Sequence, residues 1–321
     1  MTTLDSMVDP DLQSLIDSVV DAHDCHDDQA LWQTFVELGL ADLTGNETRG
    51  GSGASWPEAA ALARALARHG CTLDVAESDL VAGWLLEQAC APPQQALRIA
   101  LIQDDRTEAD EATLATAGLI ERIAVVRRDE EGWYVSDIRV AQADADGQDR
   151  YHLTNDVVEQ ARTRQALVKA IQISAALETI TDLTIDHART REQFGRPIGT
   201  QQAVQRMIAI VAGETALARA ATDAAVLAAA DPNTPAPQVA AMVAVARSCC
   251  GHAVDPVVRQ AHQVTGAIGT TREHRLHVFT TAALALRSHH GATRDWDAAV
   301  LDSATRGQPL SDLDLIPSIA Q

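Results

Sequence analysis

Basic stretches and aromatic rings are both scarce in this 321-residue chain. Lys and Arg number 25 against 45 Asp and Glu, giving a formal net charge of −20. A nucleic-acid footprint needs a basic face, and there is no long Lys/Arg run to build one. Arginine gathers only locally, at Arg189, Arg191 and Arg196, which suits a small anionic ligand. The five cysteines, Cys25, Cys71, Cys90, Cys249 and Cys250, are odd in number and contain no CxxC pair. That argues against a disulfide framework and for a reducing compartment. No stretch of about 18 apolar residues occurs, so no membrane span is expected. The N-terminus lacks a basic segment leading into an apolar one, so no signal peptide is expected and a cytoplasmic location is.

Apolar residues make up 46% of the chain, aromatics only 3%, and alanine is abundant, a composition that favours helix. Leu31–Gly39 has helical apolar spacing and ends at glycine. A loop follows from Thr44 to Ser55, then helical runs over Ala59–His69 and Leu80–Ala89. From about residue 98 the character changes. Ile120–Val126 and Trp133–Val140 are β-branched, and Arg128-Asp129-Glu130-Glu131-Gly132 between them is turn-forming, so a β-hairpin is expected. Asp104–Glu111 and Asp144–Asp149 are expected as solvated loops.

From Asp156 the pattern is helical. Ile173, Leu177, Ile180 and Thr184 step by four, three and four, predicting an amphipathic helix of at least six turns that stops near Gly195-Arg196-Pro197. Further helices are expected through Val204–Ala218, through Val239–Ala253 with a bend at Pro256, and from about Glu273 to Ser288. Four helices with short connections imply an antiparallel bundle. The expected fold is therefore mainly α with a small β middle region. Its domains would be residues 1–97 (helical), 98–155 (reduced β) and 156–306 (four-helix bundle), with a tail at 307–321.

Three local signals carry little. His23-Asp24-Cys25-His26-Asp27-Asp28 has metal-ligand residue types but spacing too tight for a strong site, and no metal is expected. Gly50-Gly51-Ser52-Gly53 lacks the G-K-[ST] context of a phosphate loop. Cys249-Cys250 lies on an apolar helix face and reads as packing.

Arg189-Thr190-Arg191-Glu192-Gln193-Phe194-Gly195-Arg196-Pro197-Ile198-Gly199, followed by Gln202-Ala203-Val204-Gln205, resembles the signature of the acyl-CoA dehydrogenase C-terminal bundle. Gln263-Val264-Thr265-Gly266-Ala267-Ile268-Gly269, then Glu273-His274 and Leu276-His277, resembles the family's Q-x-x-G-G-x-G segment. Leu31 to Gly53 resembles its N-terminal opening. The resemblance implies the acyl-CoA dehydrogenase fold and a FAD shared across a subunit interface. It assigns the pyrophosphate to Arg191, since a guanidinium matches phosphate oxygens with parallel hydrogen bonds. It gives Gln193 a further hydrogen bond there, sets Phe194 and Ile198 near the adenine, and brings Gln263 and the Gly266-Ala267 backbone up to the cofactor of the other subunit. The family usually has glycine at Ala267, so an added methyl crowds that approach.

The family reaction removes a proton α to a thioester and passes a β-hydride to the flavin, so it needs a carboxylate base. By resemblance the two usual base positions fall on His290 and on Gln165, and neither is a carboxylate. The middle region is about half the family length, and Trp133 is its only tryptophan, without the tryptophan-threonine segment that backs the flavin. The resemblance is to the short subunit of actinobacterial heterotetrameric acyl-CoA dehydrogenases associated with steroid degradation. It implies an α2β2 assembly with a longer partner that supplies the base, the flavin cradle and the acyl-CoA site. A cofactor-free structural subunit and a self-sufficient homomeric dehydrogenase with a displaced base are the alternatives.

Overall fold

The structure is a computed structural model that describes residues 4–23, 27–71, 73–93, 96–103, 120–139 and 149–305. It is mostly helical with a small sheet, as the sequence implied. Two compact units divide at Val168/Lys169. The segments Asp104–Glu111, most of Asp144–Asp149, the tail 307–321 and Cys25 lie outside the described residues.

In the first unit, α1 (Pro10–Ala22) starts on Asp9, whose side chain accepts the Asp11 and Leu12 amides, satisfying donors that a helix start leaves open. Asp27 does the same for α2 (Asp28–Glu37) through the Ala30 amide. At α3 (Trp56–His69), Glu58 reaches back to the Ser55 N–H at 3.1 Å in a capping box. Leu31, Phe35, Ile16, Leu66 and Val75 form the core between these helices.

The next helix differs from its expected form. It begins at α4 (Val75–Glu77), widens into a π-helical stretch (Ser78–Gly83) and ends as α5 (Trp84–Gln88). Such widening is uncommon and usually has a local cause. Here it turns Ser78 and Asp79 into the interior, where they are 4% and 5% exposed. Ser78 Oγ receives the Arg98 amide at 3.0 Å, tying this helix to β1 (Arg98–Ile102). The sheet runs in the order β1, β2 (Arg122–Asp129), β3 (Gly132–Arg139), β4 (Tyr151–Leu153). β1 lies parallel to β2, and the expected hairpin is the antiparallel β2–β3 pair, registered from Arg122↔Arg139 to Asp129↔Gly132. Asp129 fixes its turn by accepting the Glu131 and Gly132 amides. Asp137 is shared by Arg98 and Arg122, at 3.4 and 2.8 Å.

The 36-residue α6 (Asn155–Thr190) starts in the first unit and continues into the second. It ends at Thr190, five residues before the expected glycine, because the chain turns straight into a ribbon of β5 (Glu192–Gln193) and β6 (Arg196–Pro197). α7 (Gln202–Ala230) packs along α8 (Ala236–Thr265), which continues through Pro256 as one helix. Thr181 on α6 meets Thr215 on α7 at 2.9 Å, and Glu178 pairs with Arg219. The expected fourth helix is shorter than its sequence span, α9 (Leu276–Leu286), and a further helix, α10 (Thr293–Thr305), packs on α8. A loop at His290-Gly291, with φ of 56° and 120°, separates the two. Left-handed backbone stops a helix in a way that apolar periodicity does not report.

Candidate functional site

The arginine-rich arm is built at the C-terminal end of α6. The Arg191 amide closes the last turn on His187 O at 2.9 Å, and Arg191 O receives the Ile198 amide at 2.9 Å. Between them, Gln193 pairs with Arg196, and Phe194-Gly195 forms a two-residue turn with φ of 54° and 77°. Positive φ at both central positions is the tight hairpin turn that matches strand twist. Glycine takes it freely; phenylalanine takes it at a cost. Phe194 is also 93% exposed. Ile198 is 7% exposed and packs with Ala188, Val204 and Val264, so it seats the hairpin on the bundle and presents no free face. Arg191 and Gln193 stand in solvent, and among the described residues Arg191 has no carboxylate partner.

The second element ends α8. Gly266 takes φ 64° and ψ −147°, a region open in practice only to glycine. Gln263, Gly266 and Ala267 are all exposed, on the same unit as the hairpin. Gly269 is buried, and a Cβ there would lie 2.2 Å from Thr265 Oγ1, which fixes the fold of the segment that follows.

Residues 156–294 match the family model of the acyl-CoA dehydrogenase C-terminal domain. Over this domain, which is less than half of its length, the chain is similar to acyl-CoA dehydrogenases. It is 29% identical over 270 residues to acyl-CoA dehydrogenase IpdE2 of Mycobacterium tuberculosis (strain ATCC 25618 / H37Rv), covering 78% of this chain and 79% of that protein. Among solved structures it superposes on the ChsE4-ChsE5 complex from Mycobacterium tuberculosis with a TM-score of 0.78 at 19% identity, covering 93% of this chain and 97% of that one. The Tcur3481-Tcur3483 steroid ACAD gives a TM-score of 0.76 at 18% identity, covering 92% and 97%. At these identities the superpositions show the fold.

Gln165 and His290, which the resemblance sets at base positions, are not carboxylates, and their surroundings differ. Gln165 is 3% exposed, and its amide donates to Glu77 Oε1 at 3.1 Å and Ala100 O at 2.8 Å. His290 is exposed in the left-handed loop after α9, edge to face with His289 at 6.3 Å. At the start of the chain, His23 is held by Val19 O and Thr34 Oγ1, and among the described residues no group of three His, Cys, Asp or Glu is placed to hold a metal.

Several polar residues escaped the sequence reading because their partners are remote in the chain. Asp79 accepts the Thr44 amide and hydroxyl at 2.9–3.2 Å. Its burial pushes the carboxyl up to about 7, against the pull of those hydrogen bonds. Beside it Arg164 donates to Leu80 O and lies over Trp84 at 4.1 Å and Trp56 at 5.2 Å. Arg247 on α8 is 1% exposed and donates to Arg287 O and His289 O at 3.2 and 2.7 Å. Burial pulls its guanidinium down to about 10. Of these only Arg164 had a signal in the sequence, namely its neighbour Gln165, which the resemblance sets at a base position.

Proposed function

We propose that this chain is one subunit of a heteromeric FAD-dependent acyl-CoA dehydrogenase that desaturates a CoA thioester, a steroid-derived one, between its α and β carbons. It holds the adenosine and pyrophosphate half of FAD. A longer partner in an α2β2 assembly supplies the carboxylate base and the flavin cradle. The observation that carries this reading is an imbalance. The arginine-rich arm leaves Arg191 free of any carboxylate among the described residues, while neither Gln165 nor His290, where the resemblance sets the base, is a carboxylate.

The chain's surface fits a dinucleotide. Arg191 offers a planar fork to a pyrophosphate, Gln193 stands beside it, and the turn exposes the Phe194 ring, a face that an adenine can cover. Gly266 brings bare backbone to the surface, where an added Cβ would meet nothing within 4 Å. When bound, FAD accepts the β-hydride of the thioester. Gln165 cannot take the α-proton, because a neutral amide is no base and its N–H groups are spent on Glu77 and Ala100. The names of similar proteins point the same way. One solved relative is a complex of two different chains, and another is a steroid ACAD.

Co-expression with a longer acyl-CoA dehydrogenase chain tests this reading. The expected result is a yellow hetero-oligomer, active on a steroid-derived CoA thioester and inactivated when the partner's base Glu is changed to Gln. A colourless, inactive pair would favour a structural subunit. Stoichiometric FAD and full activity in the lone chain would favour a self-sufficient enzyme.

A further inference from the structure

Three histidines from three separate segments meet in the second unit. His187 lies one turn before Arg191 on α6, His262 one turn from the end of α8, and His274 in the segment between Gly269 and α9. The His187 and His274 rings pack edge to face with centroids 5.9 Å apart. His262 places Nε2 3.3 Å from Thr280 Oγ1, and its Nδ1 is buried without a hydrogen-bond partner. His274 Nδ1 receives the Leu276 amide at 3.2 Å, and its backbone carbonyl meets His277 Nδ1 at 2.9 Å. All three side chains are half-buried.

This cluster has an incomplete charge balance. The charges acting on His187 are His274 and Arg191, and the one acting on His262 is His274. Every one of these is a cation or a potential cation. Burial first, and then these neighbours, lower both imidazoles below the ordinary histidine range. Nearby acids do not compensate. Asp186 is exposed and sits 3.9 Å from Arg189, and Glu273 is exposed beside His274 between Arg272 and Arg275. Arg275 lies over Phe279, and Arg259 on α8 is exposed.

We propose that His187, His262 and His274 form a proton-linked extension of the Arg191 site, completed by the phosphates of a bound dinucleotide. This rests on the dinucleotide reading above and adds to it a mode of regulation. A diphosphate diester arriving at Arg191 brings two negative charges to a cluster in which the charges acting on His187 and His262 are all cations or potential cations. The imidazoles then take up a proton from solvent on binding, and the same linkage makes binding tighten as pH falls. His274, in contact with His187 and acting electrically on His262, couples the arm at the end of α6 to the segment after Gly266. The two halves of the site are therefore coupled electrostatically.

FAD is the suitable probe, because its diester pyrophosphate keeps the same charge across the neutral range, whereas a terminal phosphate would titrate itself. FAD affinity of the chain assembled with its longer partner and stripped of flavin is measured by calorimetry between pH 6 and 8, in two buffers of different ionisation enthalpy that count protons taken up. The expected result is an affinity about tenfold higher at pH 6, the equivalent of one pKa unit of linkage, with net uptake of about one proton. The double variant His187→Gln, His262→Gln should lose the slope and keep its pH 8 affinity within about twofold, whereas Arg191→Ala loses affinity at every pH. Proton counting on the unaltered chain needs no substitution and stands even if the double variant does not fold. A flat profile without proton uptake, or a slope that survives in a folded double variant, overturns the proton linkage alone. No FAD binding at any pH overturns it together with the dinucleotide reading.

Discussion

The Gln165 amide donates to Glu77 Oε1 at 3.1 Å inside the first unit, with both residues 3% exposed. The glutamine that the resemblance sets at a base position is thus the partner of a buried Glu77 side chain. Gln165→Glu would restore the acid but set a second carboxylate against Glu77 and remove the donor to Ala100 O. Breaking such a pair and burying like charges costs about 3 kcal/mol or more. The variant should lose stability by that order in chemical denaturation and gain no dehydrogenase activity with or without a partner. A stable, active Gln165→Glu would show that this position faces substrate.

Asp79 makes the stability of the first unit depend on pH. Its folded-state carboxyl lies near 7, above the ordinary 3.8. A raised folded value means that the native state holds the proton more tightly than the unfolded chain. The stabilisation is full below about pH 4 and disappears as pH rises through about 7. Asp79→Asn should flatten this term, an effect on the order of a few kcal/mol between pH 4 and 8. Urea midpoints of the two proteins across that range check it.

Arg247 sets two large effects against each other. Burying a guanidinium costs several kcal/mol, and its two bonds to Arg287 O and His289 O return about 1.5–3 kcal/mol each. Arg247→Met removes both terms, so the melting temperature should move by only a few degrees. The loop it anchors should loosen all the same. Hydrogen exchange at the His289 amide, bonded to Leu286 O at 3.2 Å, should accelerate by at least tenfold. Unchanged protection there would show that the loop is held by other contacts.

Phe194 is a poor residue for folding at its position, with positive φ and an exposed ring. Asparagine adopts that backbone more readily. Phe194→Asn should therefore leave thermal stability equal or higher while weakening FAD binding about tenfold in the assembled enzyme, since base–ring stacking is worth about 1–3 kcal/mol. Equal FAD affinity would remove Phe194 from the site.

Much of the chain could be read locally. The 36-residue α6 follows from its apolar stepping, the β2–β3 hairpin from two β-branched runs around Asp129, and the arginine-rich arm from the residues Arg191 to Gly195. The misplaced boundaries share a cause. α6 stops before Gly195, and α10 starts after His290-Gly291, because left-handed backbone and ribbon pairing end helices that side-chain spacing would continue. Ile198, which the resemblance sets near the adenine, packs against Ala188, Val204 and Val264, contacts that no local spacing reports.

The amino-acid order by itself determined the helices, the hairpin and the cation-rich arm, because periodicity, turn chemistry and the phosphate-matching guanidinium act over a few residues. Only the tertiary structure decided which polar groups share an environment. Gln165 found Glu77 across 88 positions, Asp79 found Thr44 across 35, and His187 met His274 from a different segment altogether. Burial and neighbouring charge set what such groups do, and both are properties of folded space that no stretch of sequence carries alone.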